Sequence, residues 1–256
     1  MRASQAILKS LVEAKASVLR PHITDTLNNS LDLLPHITTT PDQWLQHPYP
    51  FLSKIDISWL ESQQLRLHEL GKSPTSQIAQ FSHFSLWQSL IHNQTKILPF
   101  QAARELPLGN LLELTKSDSV KLFHLLGLFD LSLDLKKIVQ TPTLQAIKSA
   151  LSAAQMQFLK SLANKPTTVD FGRLDLERWN RQPQSLQDVL FNRGLNRLAK
   201  ALFHAESSII WYFERILDKP MGTKFKKLIS DLKNAPAQKA LMTEVQTALD
   251  QLRKPV

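Results

Sequence analysis

Apolar positions along this chain recur at helical spacing almost throughout, and strand-like alternation is nearly absent. The densest stretch is Lys116–Leu151. Val120, Leu122, Phe123, Leu125 and Leu126 make one apolar face, which Ser117 is placed to cap. Gly127 falls where a helix end needs a residue tolerant of positive φ. Leu131, Leu135 and Ile138 make a second stripe, with Lys136 and Lys137 near its C-terminal end, where cations suit the helix dipole. Thr141-Pro142 reads as a cap followed by a first-turn proline. The pattern predicts two compact helices and the start of a third, joined by very little loop.

The same periodicity predicts helices over Ser4–Leu19, ended by Pro21, and over Asp56–Leu70, ended by Gly71. Ser73-Pro74 opens another, carrying Phe81, Phe84, Trp87 and Ile91. Pro99 and Pro107 limit Leu98–Leu114 to two short helices at most. Leu186–Phe203 is a long helix, and Ser207 caps the next, with Ile210, Phe213 and Leu217 on one face. Pro220-Met221-Gly222 reads as a break, and Pro236 separates Lys224–Leu232 from Gln238–Leu252. Leu27–Pro50 is proline-rich and predicts irregular, ordered backbone with one short helix at Pro41-Asp42. Ala163–Gln184 is the expected internal loop, packed through Phe171, Leu174, Leu176 and Trp179, with Val169–Phe171 as a candidate short strand. The expected class is all-α: an irregular helical domain of about ten helices over residues 1–256. It forms either one body or two packed lobes, 1–163 and 185–256, joined by the 164–184 loop.

Composition sharpens this picture. A chain of 256 residues, 43% hydrophobic, can bury one sizeable core. Six glycines, two tyrosines and abundant leucine favour helix over sheet. The absence of cysteine excludes disulfides, thiolate metal sites and a cysteine nucleophile, and fits a reducing compartment. Lys9, Glu13 and Lys15 interrupt any secretory apolar region near the N-terminus, and no run approaches the roughly 18 apolar residues of a membrane span. A cytoplasmic protein is therefore expected.

The net charge of +9 admits nucleic acid, an anionic membrane surface or an acidic protein as partner. Arg197–Val256 carries eleven basic against six acidic residues. Its tight cluster is Lys224, Lys226 and Lys227, which the pattern places near a helix start, either as a solvated face or as a docking patch. Signals of catalysis are scarce. No two of the eight histidines lie three or four residues apart, so no helical metal pair exists. No phosphate-binding glycine motif and no G-x-S-x-G is present. Asp130 and Asp134 read as an ordinary helix-start pair, His124 as a core-edge histidine, and Gly194 as a close helix–helix crossing. Trp87 and Trp211 read as core. Trp44 and Trp179, in loop-rich segments, read as candidates for partner contact.

Short islands across Leu27–Met221 carry a resemblance. Leu126-Gly127-Leu128 is followed by a helix ending in Lys136-Lys137-Ile138-Val139. Upstream stand Leu33-Leu34-Pro35 and Trp44; downstream, in order, stand Gly194, Leu198, Leu202, Trp211, Arg215 and Leu217. In order and spacing these islands resemble the K component of type III secretion systems, the SctK/YscK family. Where that family carries Tyr-Gly before the basic pair, this chain reads Asp130-Leu131-Ser132. The resemblance implies a non-enzymatic adaptor of the sorting platform, with no cofactor and no metal, at the cytoplasmic face of the inner membrane. It implies two direct partners, the cytoplasmic domain of the ring protein (the D component) and the Q component, and through Q the L regulator and the N ATPase. Trp44, Lys224, Lys226 and Lys227 are the expected interface residues. The alternative prompted by charge alone is a basic, helical nucleic-acid-binding protein.

Overall fold

A computed structural model describes residues 49–59, 97–138, 141–163, 169–174, 176 and 179–253. Among them the secondary structure is all helical, as expected, with no strand. The α-helices are α1 (Tyr49–Leu52), α2 (Phe100–Arg104), α3 (Lys116–Leu135), α4 (Thr141–Ala150), α5 (Ala153–Leu162), α6 (Pro183–Ala201), α7 (Ser207–Ile216), α8 (Lys219–Leu228) and α9 (Ala235–Leu252). Two 3-10 turns, Ile57–Trp59 and Gly109–Glu113, complete the elements. The helices expected over Ser4–Leu19, at Pro41 and after Ser73, and most of that over Asp56–Leu70, lie outside the described residues.

The chain divides into two compact units, residues 1–53 with 66–101, and residues 54–65 with 102–256. Residues on both sides of the 164–184 segment belong to the second unit. In the first unit the described residues include Phe51 and Phe100, whose ring centroids lie 5.8 Å apart.

The second unit is built on α3. This helix does not stop at Gly127; it runs unbroken for 20 residues, about 30 Å. From Leu125 to Ser132 every residue is buried. A helix apolar on all sides belongs at the centre of a core, and α3 packs on α5, α6 and α9. Thr115, not Ser117, is its N-cap, accepting from the Asp118 N–H at 3.1 Å. The expected break had a physical source. Continuous burial leaves no one-sided stripe, so a glycine in the middle looks like punctuation.

Its actual role is close approach. A Cβ on Gly127 would lie closer than 3.0 Å to the Leu190 backbone of α6, and one on Gly194 of α6 would lie as close to the Phe123 backbone of α3. Each glycine thus faces the turn preceding the other glycine, four residues back. The two helices meet backbone to backbone, and the crossing expected at Gly194 has a mate in Gly127. Each glycine costs about 1 kcal/mol of helix propensity relative to alanine, and the contact it admits offsets that.

Aromatic rings seal the crossing. The Phe123 ring stands edge-on to Phe191 at 5.3 Å and to Phe213 at 6.4 Å, and Phe213 stands against Phe225 at 5.3 Å. Helices α4, α8 and α9 attach to α6. Gln238 of α9 donates to the Lys200 and Ala201 carbonyls at 2.8 Å, satisfying groups that the helix end leaves open. Gln187 donates to the Ala150 carbonyl of α4 at 2.8 Å.

Local starts and stops differ from expectation where proline is involved. Pro220 lies in the first turn of α8 and Pro236 in the first turn of α9, so both begin helices rather than separate them. Glu206, not Ser207, is the N-cap of α7, accepting from the Ser208 N–H at 2.6 Å. Val169–Phe171 is irregular backbone, not a strand; side-chain bonds hold it instead. The loop does pack, with Val169, Leu174 and Leu176 buried.

Replacing Gly194 by alanine forces two backbones apart, which no neighbouring rotamer can absorb. Gly194→Ala is expected to lower stability by about 3 kcal/mol, despite alanine's better helix propensity. The urea midpoint of the purified chain measures it.

Candidate functional site

The functional reading of the charged residues depends on which charges the fold consumes. One turn beyond the glycine crossing, Arg197 of α6 is fully buried. Its Nη2 donates to Asp130 Oδ1 at 2.6 Å and to the Val169 carbonyl at 2.9 Å, and its Nε donates to Asp130 Oδ2 at 3.2 Å. Its Nη1 donates to Glu244 of α9. The guanidinium also faces the Phe171 ring at 5.1 Å. One buried cation therefore ties α3, α6, α9 and the 169–174 segment together. Burial pushes the Glu244 carboxyl above the ordinary carboxylate value, while the Arg197 charge works the other way.

Asp134 accepts from the Leu174 N–H at 2.6 Å, and Arg193 donates to the Phe171 and Arg173 carbonyls at 2.7 Å each. Asp130 and Asp134 are thus not a helix-start pair. They lie in the second half of α3, buried, and each holds a partner distant in sequence. The Arg197, Asp130 and Glu244 cluster was not legible, because its members lie 67 and 47 residues from Arg197. Its members are buried and satisfy one another, so the cluster is scaffolding.

The second charged region is open. Asp218 caps α8 by accepting from the Met221 N–H at 2.9 Å. Gly222 lets α8 approach the Glu214 backbone and the Trp59 ring, and Phe225 is buried. The segment around Ser58 is strapped to the start of α8. The Lys219 N–H donates to Ser58 Oγ at 2.8 Å, Trp59 Nε1 donates to the Leu217 carbonyl at 2.8 Å, and the Asp56 N–H donates to the Arg215 carbonyl at 2.9 Å. Lys116 bridges Asp56 at 2.8 Å and Asp218 at 3.2 Å. Burial works to raise the Asp56 carboxyl, but the bonds from Lys116 and Ser58 outweigh it and hold it below its ordinary value. Arg215 is enclosed between Trp211, at 3.8 Å, and Trp59, at 5.1 Å, and burial pulls it down to about 10.

With Gly222 and Phe225 turned inward, α8 presents Lys219, Thr223, Lys224, Lys226 and Lys227 outward, all exposed. An open groove of about 670 Å³ is lined by Ser58, Lys219, Pro220, Thr223, Lys224 and Lys227. Lys226 and Lys227 stand in the last turn of α8, not near its start, so the dipole favours them there. The expected helix began five residues late because Pro220 and Gly222 read as a break. Lys226 lies 3.7 Å from Glu214, and Lys224 donates to Asn192 at 2.7 Å.

A second cleft, of about 860 Å³, is lined in part by Lys121, His124, Ser152, Gln155 and Gln187. Its polar groups are used locally: Lys121 pairs with Asp118 at 3.0 Å, and Gln155 donates to Gln187 at 2.9 Å. His124 is half-buried against the Phe191 ring, with Nδ1 2.9 Å from the Val120 carbonyl, matching its core-edge expectation. Burial depresses its pKa.

Of the expected interface residues, Lys224, Lys226 and Lys227 are brought to one exposed face, and Trp44 lies outside the described residues. Trp211 is core. Trp179 is half-buried, and its Nε1 donates to Ser185 Oγ at 2.7 Å at the start of α6. Among the described residues no cluster of three or more His, Asp or Glu could hold a metal ion. What fold and site define together is an all-helical body with a buried ion cluster and a basic outer face. No family model, no curated protein and no solved structure matches the chain.

Arg197→Met leaves Asp130 and Glu244 buried without their cation and is expected to cost about 3–5 kcal/mol, read as a fall in urea midpoint. His124 gives a pH-dependent outcome. Its folded pKa lies below the unfolded value of about 6.5, so its contribution to stability is complete above that pH and lost as pH falls through the folded value. Measured from about pH 7 to pH 5, His124→Gln is expected to lose less stability than the parent chain.

Proposed function

We propose that this chain is a non-enzymatic adaptor of a type III secretion apparatus. It links the cytoplasmic domain of the inner-membrane ring protein, the D component, to the Q component, and through Q to the L regulator and the N ATPase. The observation that carries the reading is where the resembling islands fall. Leu126, Gly127 and Leu128 lie at the centre of α3, Gly194, Leu198 and Leu202 on the helix that crosses it, and Trp211 and Leu217 in the same core. These island residues are core, Lys136 and Lys137 are exposed, and Leu33-Leu34-Pro35, Trp44 and Val139 lie outside the described residues; a match in core positions supports a shared helical scaffold.

The charges support the same reading. The buried ionic contacts of Arg197 with Asp130 and Glu244, and the hydrogen bond from the Leu174 N–H to Asp134, are spent on cohesion. What faces solvent along α8 is a set of lysines, chemistry for docking rather than for bond making. No helix among the described residues is long and apolar enough to cross a membrane. An adaptor of this kind sits at the cytoplasmic face of the inner membrane through its partners.

Purified chain used as bait in lysate of its own cell is expected to recover the ring D component and the Q component, with or without nuclease. Recovery of nucleic acid alone, lost on nuclease treatment, would overturn the reading in favour of a nucleic-acid-binding protein.

A further inference from the structure

The outer face of α8 holds more positive charge than the fold neutralises. Of the acidic groups nearest it, Asp56 and Asp218 are engaged with Lys116, and Glu214 lies beside Arg215 and Lys226. Among the described residues no carboxylate pairs with Lys219, Lys224 or Lys227. These three line the same groove, at helix positions three and five residues apart, with Ser58 and Thr223 adding hydroxyls to its wall. Lys226, adjacent to Lys227 in the chain, lies instead on the Glu214 side, 3.7 Å from that carboxylate.

We infer that the groove bounded by Lys219, Lys224 and Lys227 is the docking site for an acidic polypeptide segment that also carries an apolar side chain. Its charge calls for carboxylates. Pro220, exposed at the groove wall, supplies an apolar contact there. Nucleic acid is the poorer fit, because the nearby aromatic ring, Trp59, is tied to the Leu217 carbonyl and stacked on Arg215, leaving no platform for bases. A lipid surface is the poorer fit as well, because Phe225, the one aromatic ring of α8, is turned into the core and Met221 and Leu228 are half-buried, leaving Pro220 as the exposed apolar residue of the helix. The inference deepens the adaptor reading, on which it rests, by assigning the chemistry of one docking site.

The test is fluorescence anisotropy on the full chain with three probes. These are a short fluorescein-labelled peptide of Asp-Glu-Leu repeats, a short labelled DNA duplex, and phosphatidylcholine vesicles containing one quarter phosphatidylglycerol. The peptide is expected to bind more tightly than the duplex or the vesicles. The triple variant Lys219→Gln, Lys224→Gln, Lys227→Gln is expected to lose about tenfold or more in peptide affinity. A matched triple, Lys136→Gln, Lys137→Gln, Lys148→Gln, removes the same charge from exposed positions elsewhere and is expected to keep most of it. Replacement of the three groove lysines by arginine is expected to bind as the parent does, with all chains showing the same helical circular dichroism. Equal losses in both glutamine triples, tighter binding of duplex or vesicles, or no peptide binding would overturn the inference. If the ring D component and the Q component are still recovered from lysate in that case, the groove assignment fails alone and the adaptor reading stands.

Discussion

Two helix backbones in direct contact set the architecture of the second unit. Gly127 and Gly194 face the Leu190 and Phe123 backbones, so α3 and α6 meet without side chains between them. A crossing this close fixes the relation of the two longest helices and carries its consequences outward. One turn further along, it brings Asp130 and Arg197 within hydrogen-bond distance. It also sets the Phe123 ring edge-on to those of Phe191 and Phe213. The remaining helices, α4, α8 and α9, then pack on α6, and α5 packs on α3.

A buried guanidinium with two carboxylates is an expensive way to join helices. Desolvation of three charges offsets much of their attraction, and an apolar replacement of equal shape can be as stable. What the ions add here is geometry. Arg197 has donors pointing to α3, to α9 and to the Val169 carbonyl at once, so one side chain aligns three elements and anchors irregular backbone that no ladder supports. Arg193 and Asp134 repeat the device along the same segment. The segment is rich in turn residues yet held in place, because its backbone groups have defined partners.

Much of this was legible in the sequence and some of it was not. The all-helical class followed from leucine-rich 3.6-residue periodicity, and Gly194 was recognisable because a glycine inside a long amphipathic helix needs a steric reason. Gly127 had the same reason but sat in a fully buried helix, where the missing polar face hides continuity. Pro220 and Pro236 misled because proline ends a helix from inside but starts one from its first turn. The lysines of α8 were visible as a cluster. Lys219 stands apart from them in the sequence pattern, which begins the helix after it, and Ser58 joins the groove only through the chain's return to Arg215 and Leu217. The ion cluster at Arg197 depended wholly on tertiary contact.

On the proposed reading, internal charge serves cohesion and the exposed lysines of α8 serve recognition. The most direct measurement of that claim is photo-crosslinking in living cells with benzoylphenylalanine placed at Lys227, on the groove, and in a second chain at Lys148, on α4. The account predicts an adduct with a protein partner from position 227 and none of equal strength from position 148. Adducts of equal yield from both positions, or adducts to nucleic acid from position 227, would contradict it.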